Sequence, residues 1–160
     1  MEEFKKILKV NQKLDKVFDE KYSSDKDYYN KNCIALLVEL GEFINETKCF
    51  KYWSIKTPNM DNVLEEYADC ITMCLSFFTH LNTKLENIPM HYDTNDIFIL
   101  VNEIFKDATN MMDNGNSDLI KKIFSNLLYL GELLNLDKQD IYNACYKKMN
   151  IIDERLNSDY

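Results

Sequence analysis

Apolar residues recur every three or four positions along much of the chain, as they do on one face of an α-helix. In the first such segment, residues 4–20, the apolar positions are Phe4, Ile7, Leu8, Val10, Leu14, Val17 and Phe18. Lys and Asp residues lie between them, so this segment predicts an amphipathic first helix. The polar stretch over residues 21–31 predicts a loop after it.

Two later segments, 33–50 and 63–78, are apolar on every side rather than along one stripe. A helix with that pattern is typically buried, so we expect both segments to form core helices. Pro58 lies between them and interrupts any continuous helix there. The sequence therefore predicts two separate buried helices joined by an irregular connector.

Polar residues that cap helix N-termini predict where the later helices begin. The predicted starts are Asn59 or Asp61 for the third helix, Asp96 for the fourth, Ser117 or Asp118 for the fifth and Asp137 for the sixth. We expect the third, fourth and fifth helices to end near residues 81, 113 and 134. Only 3 Gly and 2 Pro are present, which leaves little material for the turns of an all-β fold. The prediction is one all-α domain over residues 1–160, a bundle of about six helices.

Acidic residues interrupt both apolar segments at helical spacing. Glu39, Glu42 and Glu46 share one face of the first segment, and Glu66 and Asp69 share a face of the second. Carboxylates without partners are costly to bury. The first segment has no Lys or Arg before Lys48, and the second has none. Carboxylate oxygens are the ligands that Mg²⁺ prefers, often together with substrate phosphates. The pattern predicts a Mg²⁺ site for a phosphorylated ligand, and the alternative is that these residues form ordinary solvated helix faces.

The net charge and the cysteines indicate which binding partners and which cellular compartment to expect. The net charge is −8 and the basic residues are dispersed, so we expect no binding to duplex nucleic acid, which requires concentrated positive charge. Five cysteines, mostly inside apolar segments, predict buried, reduced thiols in a cytoplasmic protein. No signal peptide or long uncharged apolar stretch is present, so we expect neither secretion nor membrane insertion.

Four short motifs resemble those of one protein family. They are Glu39-Leu-Gly-Glu42, Asn45-Glu46, Phe50-Lys-Tyr-Trp53 and Glu65-Glu66-Tyr-Ala-Asp69. Together they resemble the dimeric, all-α dUTPases, which belong to the MazG-like superfamily of nucleotide pyrophosphohydrolases. The resemblance spans most of the chain and implies a helical bundle that assembles as a homodimer.

The carboxyl-terminal residues resemble the same family in part. Its signature is roughly Lys-Lys-Asn, then Asn, an Arg-Gln pair and a final Gly-Tyr. The residues that match in register are Lys147, Lys148, Arg155 and Tyr160. The residues that replace the asparagines, the glutamine and the glycine are Met149, Ile152, Leu156 and Asp159. The cations that could hold phosphates are therefore present, whereas the amides that would orient the substrate are missing.

The resemblance implies a chemistry and a set of site residues. The chemistry is hydrolysis of dUTP to dUMP and pyrophosphate, with two or more Mg²⁺ ions held by Glu39, Glu42, Glu66 and Asp69. Spacing does not assign roles within coupled carboxylates; we favour Glu42, with Glu39 beside it, as the group that accepts a proton from water. The residues expected to contact the nucleotide are Gln12 and Asp15 at the base, with Asn45, Glu46, Trp53, Lys56, Lys147, Lys148, Arg155 and Tyr160.

Two departures leave alternatives open. Thr72 stands where the dimeric dUTPases usually have a histidine, and the carboxyl-terminal motif has drifted. One alternative is therefore a MazG-like pyrophosphohydrolase that acts on another nucleotide, such as dCTP. Another, from a different functional class, is a weakly catalytic helical protein that binds a regulatory protein partner.

Overall fold

The computed structural model describes residues 1–89, 92 and 94–158, and within them the chain forms six α-helices and no strand. The helices are α1 (Glu2–Tyr22), α2 (Tyr28–Thr47), α3 (Met60–His80), α4 (Ile97–Asn114), α5 (Ser117–Leu133) and α6 (Lys138–Asn157). The predicted all-α bundle of about six helices is confirmed. Tyr160, one of the predicted nucleotide contacts, lies outside the described residues.

Side-chain caps begin most of the later helices. The Asn59 side chain accepts a hydrogen bond from the Asp61 backbone at the start of α3, and Asp137 caps α6 in the same way. Both caps agree with the prediction. Helix α5 is capped by Asn116 rather than by Ser117 or Asp118, because the Asn116 side chain accepts from two backbone N–H groups of the first turn.

Helix α2 begins earlier than predicted. It begins at Tyr28, inside the stretch predicted to be a loop, and the Tyr29 hydroxyl donates to the Met111 carbonyl at 2.9 Å. This long-range hydrogen bond ties the first turn of α2 to α4. At its other end α2 stops at Thr47, because Lys48 adopts a left-handed backbone conformation with φ 54°. The connector between α2 and α3 therefore begins at Lys48, as predicted.

Helix α3 lies at the centre of the bundle. It packs against α1, α2, α5 and α6, and its residues from Tyr67 to Cys70 are all buried. Phe77 and Phe78, two turns further along, are also buried. This confirms that the second apolar segment is a core helix.

A contact between Tyr67 and Gly131 holds α3 against α5. The Tyr67 ring is fully buried, and its hydroxyl donates to the Leu127 carbonyl at 2.9 Å. A Cβ atom on Gly131 would lie 2.6 Å from the Tyr67 oxygen, so only glycine leaves room for this ring. At roughly 100° per residue, fixing Tyr67 turns Asp69 to the opposite side of α3.

The prediction that α2 is buried on every side is wrong for a single chain. Ile34 is 50% exposed and Val38 is 51% exposed, although Leu36, Leu40 and Phe43 are fully buried. The reason is that α2 packs against α3 and α4 on one side, which leaves an apolar stripe uncovered.

The thiols and the lengths of the helices agree with the sequence pattern. All five cysteines are free, and Cys33, Cys70, Cys74 and Cys145 are buried, whereas Cys49 is partly exposed. Among the described residues, no helix combines the length and the apolar character needed to cross a bilayer.

Candidate active site

Three glutamates from the two central helices meet at one point. One carboxylate oxygen from each of Glu39, Glu42 and Glu66 lies within 4.8 Å of the others. Glu39 and Glu66 are partly buried and Glu42 is exposed. The packing of α2 on α3 therefore brings Glu39, Glu42 and Glu66 into one acidic cluster, of which Asp69 is not a member.

Asp69 lies beside this cluster but has a cationic partner. Lys148, from α6, donates from its Nζ atom to Asp69 Oδ2 at 2.5 Å. The second oxygen, Asp69 Oδ1, is buried and accepts no hydrogen bond from the described residues. Asp69 therefore presents one oxygen paired with an ammonium group and one oxygen without a partner among the described residues.

The pKa values of these carboxyls show that their negative charge is poorly compensated. Burial, and then the charge of Asp69, raise the pKa of Glu39 to about 7. Burial also raises the pKa of Glu66 and of Asp69, although the hydrogen bond from Lys148 opposes the shift at Asp69. Carboxyls that resist ionisation in this way are stabilised when a cation binds among them.

The chemistry of the donor set fits Mg²⁺. All of its potential ligands are carboxylate oxygens, which suit a hard divalent cation. Positive charge at this point would give the Asp69 Oδ1 atom a partner. It would also stabilise the ionised form of Glu39, whose pKa is raised. Glu39, Glu42, Glu66 and Asp69 are thus the residues that could hold the metal.

A cavity of about 430 Å³ opens one helical turn from the carboxylates. Its lining residue Ala35 lies four positions before Glu39 in α2, and Thr72 lies three positions after Asp69 in α3. Spacings of three or four correspond to about one turn, or about 5.4 Å along a helix. The volume falls within the range of small-ligand sites, about 300–1,000 Å³.

A buried polar network forms one wall of this cavity. The Asn11 amide nitrogen donates to Asp15 Oδ2 at 3.0 Å and to the Ser76 hydroxyl at 2.9 Å. The Ser76 hydroxyl in turn donates to Asp15 Oδ1 at 2.6 Å. Burial raises the pKa of Asp15, and these hydrogen bonds oppose the shift. Such a fixed polar group in an apolar cavity is suited to orient a ligand.

The predicted pair Gln12 and Asp15 is separated by the helix geometry. Asp15 lines the cavity, but Gln12 is exposed and is not among the lining residues, so its contact with the base stays a prediction. The buried partner is Asn11, which the sequence analysis did not identify. Its signal was a polar residue one turn before Asp15, on the same helix face as Ile7 and Leu14.

His80 also lines the cavity, which the sequence analysis did not predict. Its Nε2 atom lies 3.2 Å from Asp19 Oδ1, and its side chain is only partly exposed. This pairing links the end of α3 to α1.

The connector forms a second, more open cavity of about 610 Å³. Among the predicted contacts, its lining residues are Glu46, Trp53 and Lys56, and Trp53 is 63% exposed. Asn45 lies nearby, where its side-chain oxygen accepts from the Lys51 ammonium at 2.7 Å. The connector therefore gathers an exposed indole and several lysines beyond the carboxyl-terminal end of α2.

The basic residues of α6 occupy different environments. Lys148 faces the carboxylates, Lys147 is exposed, and Arg155 is exposed in the last turn of the helix. Of these three predicted phosphate-binding cations, Lys148 is thus the one paired with Asp69, beside the acidic cluster.

Comparison with known proteins agrees with this architecture. A family model described as dUTPase matches residues 3–160. The chain belongs to the dimeric, all-α dUTPase family. No curated protein matches it. Membership of the dUTPase family supports a general nucleotide-hydrolase function and is consistent with metal dependence at the acidic cluster.

Mg²⁺ binding should depend on pH because of Glu39. Its pKa of about 7 without metal means that the carboxyl must lose a proton before it can act as a ligand. The apparent affinity for Mg²⁺ should therefore rise as pH increases from 6 towards 8 and level off above that. Titration calorimetry in buffers of different ionisation enthalpy measures the protons released. If Glu39→Gln retains the full pH dependence, Glu39 is not the group responsible.

Proposed function

We propose that this protein is a Mg²⁺-dependent dUTP diphosphatase that converts dUTP and water to dUMP and pyrophosphate. The observation that carries the proposal is the position of the acidic cluster one turn from a nucleoside-sized cavity with a polar wall. With the base in this cavity, the triphosphate would lie at the carboxylates. Family membership supports the same reaction.

The four carboxylates have distinct positions and therefore distinct roles. Glu39, Glu66 and Asp69 are partly or largely buried and would hold the metal together with Glu42. When bound, Mg²⁺ supplies positive charge that attracts the triphosphate and makes the attacking water more acidic. Glu42 is the exposed member of the cluster, so its carboxylate is the one most accessible to that water. We assign to Glu42 the acceptance of the proton as the water oxygen attacks phosphorus.

Basic residues around the cluster would stabilise negative charge on the phosphates. Lys147 and Arg155 lie on α6, and Lys56 lies on the connector. Positive groups fixed near a phosphorus centre favour the transition state, in which charge builds up on oxygen. Trp53 offers an exposed indole face, and we assign it to contact with the nucleoside.

A second candidate substrate, dCTP, is favoured by the polar wall of the cavity. Both hydrogens of the Asn11 amide and the hydroxyl hydrogen of Ser76 are already used inside the network. The Thr72 hydroxyl donates to the Asp69 carbonyl, so it too offers the cavity only lone pairs. A wall of acceptors suits the exocyclic amino group of cytosine, whereas uracil has a carbonyl at that position. Uracil can still donate its ring N–H to Asp15.

Pyrophosphate release from a panel of nucleotides tests both candidates. We expect Asp15→Asn to raise the ratio of kcat/KM for dUTP over dCTP by about tenfold or more. The reason is that an amide supplies the hydrogen-bond donor that a uracil carbonyl requires. Asp19→Asn is the matched control, since it makes the same charge change one turn along α1, outside the network. An unchanged ratio in Asp15→Asn would exclude the cavity as the base site, and no release from any nucleotide would refute the enzymatic function.

We also propose that two copies of the chain associate through the exposed stripe of α2. Ile34 and Val38 lie one turn apart on this stripe, and exposed apolar residues in one patch indicate an interaction surface. A second copy would bury the side of α2 that the sequence pattern predicts to be buried. Light scattering gives the mass that distinguishes one chain from two.

A further inference from the structure

Lys148 pairs with the one carboxylate of the site that is most deeply buried. Its ammonium donates to Asp69 Oδ2, and the two side chains are 23% and 8% exposed. The residues of α6 on either side, Cys145 and Met149, are buried, so the backbone at Lys148 is held firmly in the core. Only the flexible side chain of Lys148 is able to change position without disturbing α6.

The Lys148 ammonium pairs with a carboxylate that a divalent cation would also bind. Asp69 lies beside the three glutamates that share one point, but it is not a member of their group within 4.8 Å. It can ligate a metal held there only if its paired oxygen, or the partnerless Oδ1, turns towards them. An ammonium and a divalent cation bound to the same carboxylate repel each other at such short range, so a metal bound at Asp69 weakens the attachment of Lys148.

We propose that Lys148 is a resident counter-ion for Asp69 in the metal-free protein and that Mg²⁺ displaces it. This proposal rests on the metal site of the proposed function. Displacement completes the ligand set with Asp69 and at the same time frees the Lys148 ammonium. Because α6 is anchored, the freed group stays within the reach of its own four-carbon stem. The positive charge is therefore available to a phosphate only after the metal is bound.

Two consequences distinguish this exchange from a purely structural ion pair. A structural lysine would support the site, so its removal would weaken metal binding. A displaced lysine competes with the metal, so its removal should strengthen metal binding. Whether Lys148 is structural or displaced, its removal leaves the Asp69 carboxylate without that partner in the metal-free protein. The loss lowers the stability of the metal-free protein.

The test measures Mg²⁺ affinity by calorimetry on the whole protein, without nucleotide, for Lys148→Met and for the control Lys147→Met. The control removes the same charge from the adjacent, exposed position. We expect Lys148→Met to bind Mg²⁺ about tenfold more tightly than Lys147→Met, which corresponds to about 1.4 kcal/mol. We also expect its melting temperature in EDTA to fall below that of Lys147→Met, and Mg²⁺ to recover most of the loss.

A second measurement follows the displacement in the unmodified protein and does not depend on a variant that folds. Acylation of lysines with a water-soluble ester, read by mass spectrometry, should be slow at Lys148 without metal. It should become faster when Mg²⁺ is added, whereas the rate at Lys147 should not change. Equal or weaker Mg²⁺ binding by Lys148→Met, or a Lys148 rate that Mg²⁺ leaves unchanged, overturns the exchange alone. Failure of the folded, unmodified protein to bind Mg²⁺ overturns the metal site and the proposed function with it.

Discussion

We expect Glu42→Gln to lower kcat for pyrophosphate release by about 10³-fold, within the range of about 10²–10⁴ for loss of a general acid or base. The substitution keeps the size and hydrogen-bonding shape of the side chain but removes its ability to take a proton. Glu42 is exposed, so the fold should be unaffected. Circular dichroism and the melting temperature check this, and pyrophosphate release under saturating Mg²⁺ measures the effect.

The control for this substitution is Glu65→Gln, which removes the same charge from an exposed residue next to Glu66. Glu65 raises the pKa of Glu66 and Asp69 through its charge but is not part of the cluster within 4.8 Å. We expect it to change kcat by less than about tenfold, because exposed charges are screened by solvent. Equal losses in the two variants would show that overall negative charge, rather than proton acceptance by Glu42, supports the reaction.

Gly131→Ala is expected to cost about 1–3 kcal/mol in the free energy of unfolding, as is typical of overpacking in a core. The new methyl group would lie 2.6 Å from the Tyr67 oxygen and 3.0 Å from the ring carbon that carries it. Tyr67 is fully buried and its hydroxyl is held by the Leu127 carbonyl, so the ring cannot easily move away. Urea denaturation monitored by circular dichroism measures the loss.

Two further variants separate this clash from the general effect of an alanine in a helix. Gly41→Ala, in α2, meets no atom within 4 Å and should instead stabilise the chain by about 0.5–1 kcal/mol. Tyr67→Phe removes the closer of the two contacts, so adding Gly131→Ala to it should cost less than in the parent protein. If the cost is the same in both backgrounds, the Tyr67 hydroxyl is not the obstacle.

The helical spacing of apolar residues was sufficient to predict six helices, since each is long and strongly periodic. Helix ends were harder to predict, because they depend on which of several neighbouring polar side chains reaches the backbone. Asn116 rather than Ser117 caps α5, for example. The start of α2 at Tyr28 depends on a hydrogen bond from Tyr29 to a residue in α4, which a local pattern does not contain.

The acidic cluster was predictable because its residues lie at helical spacing within apolar segments. In the polar wall of the cavity, Asp15 was predicted but Asn11 was not. The reason is that a shift of one residue rotates a helical side chain by roughly 100°. That rotation is the difference between Asn11 inside the cavity and Gln12 outside it. Lys148 was expected to meet phosphate, and its pairing with Asp69 could not be read from the sequence. The two residues are 79 positions apart and meet only when α6 packs on α3.

The distribution of the thiols makes the protein convenient for spectroscopy. Burial raises the pKa of Cys33 and Cys70, and that of Cys145 to about 12. Buried, protonated thiols react slowly with alkylating reagents, which leaves Cys49 as the accessible position. Cys49 lies in the connector just before the aromatic segment that includes Trp53. A single maleimide dye would thus attach to the native chain beside the indole, where its emission could report nucleotide binding without engineered cysteines.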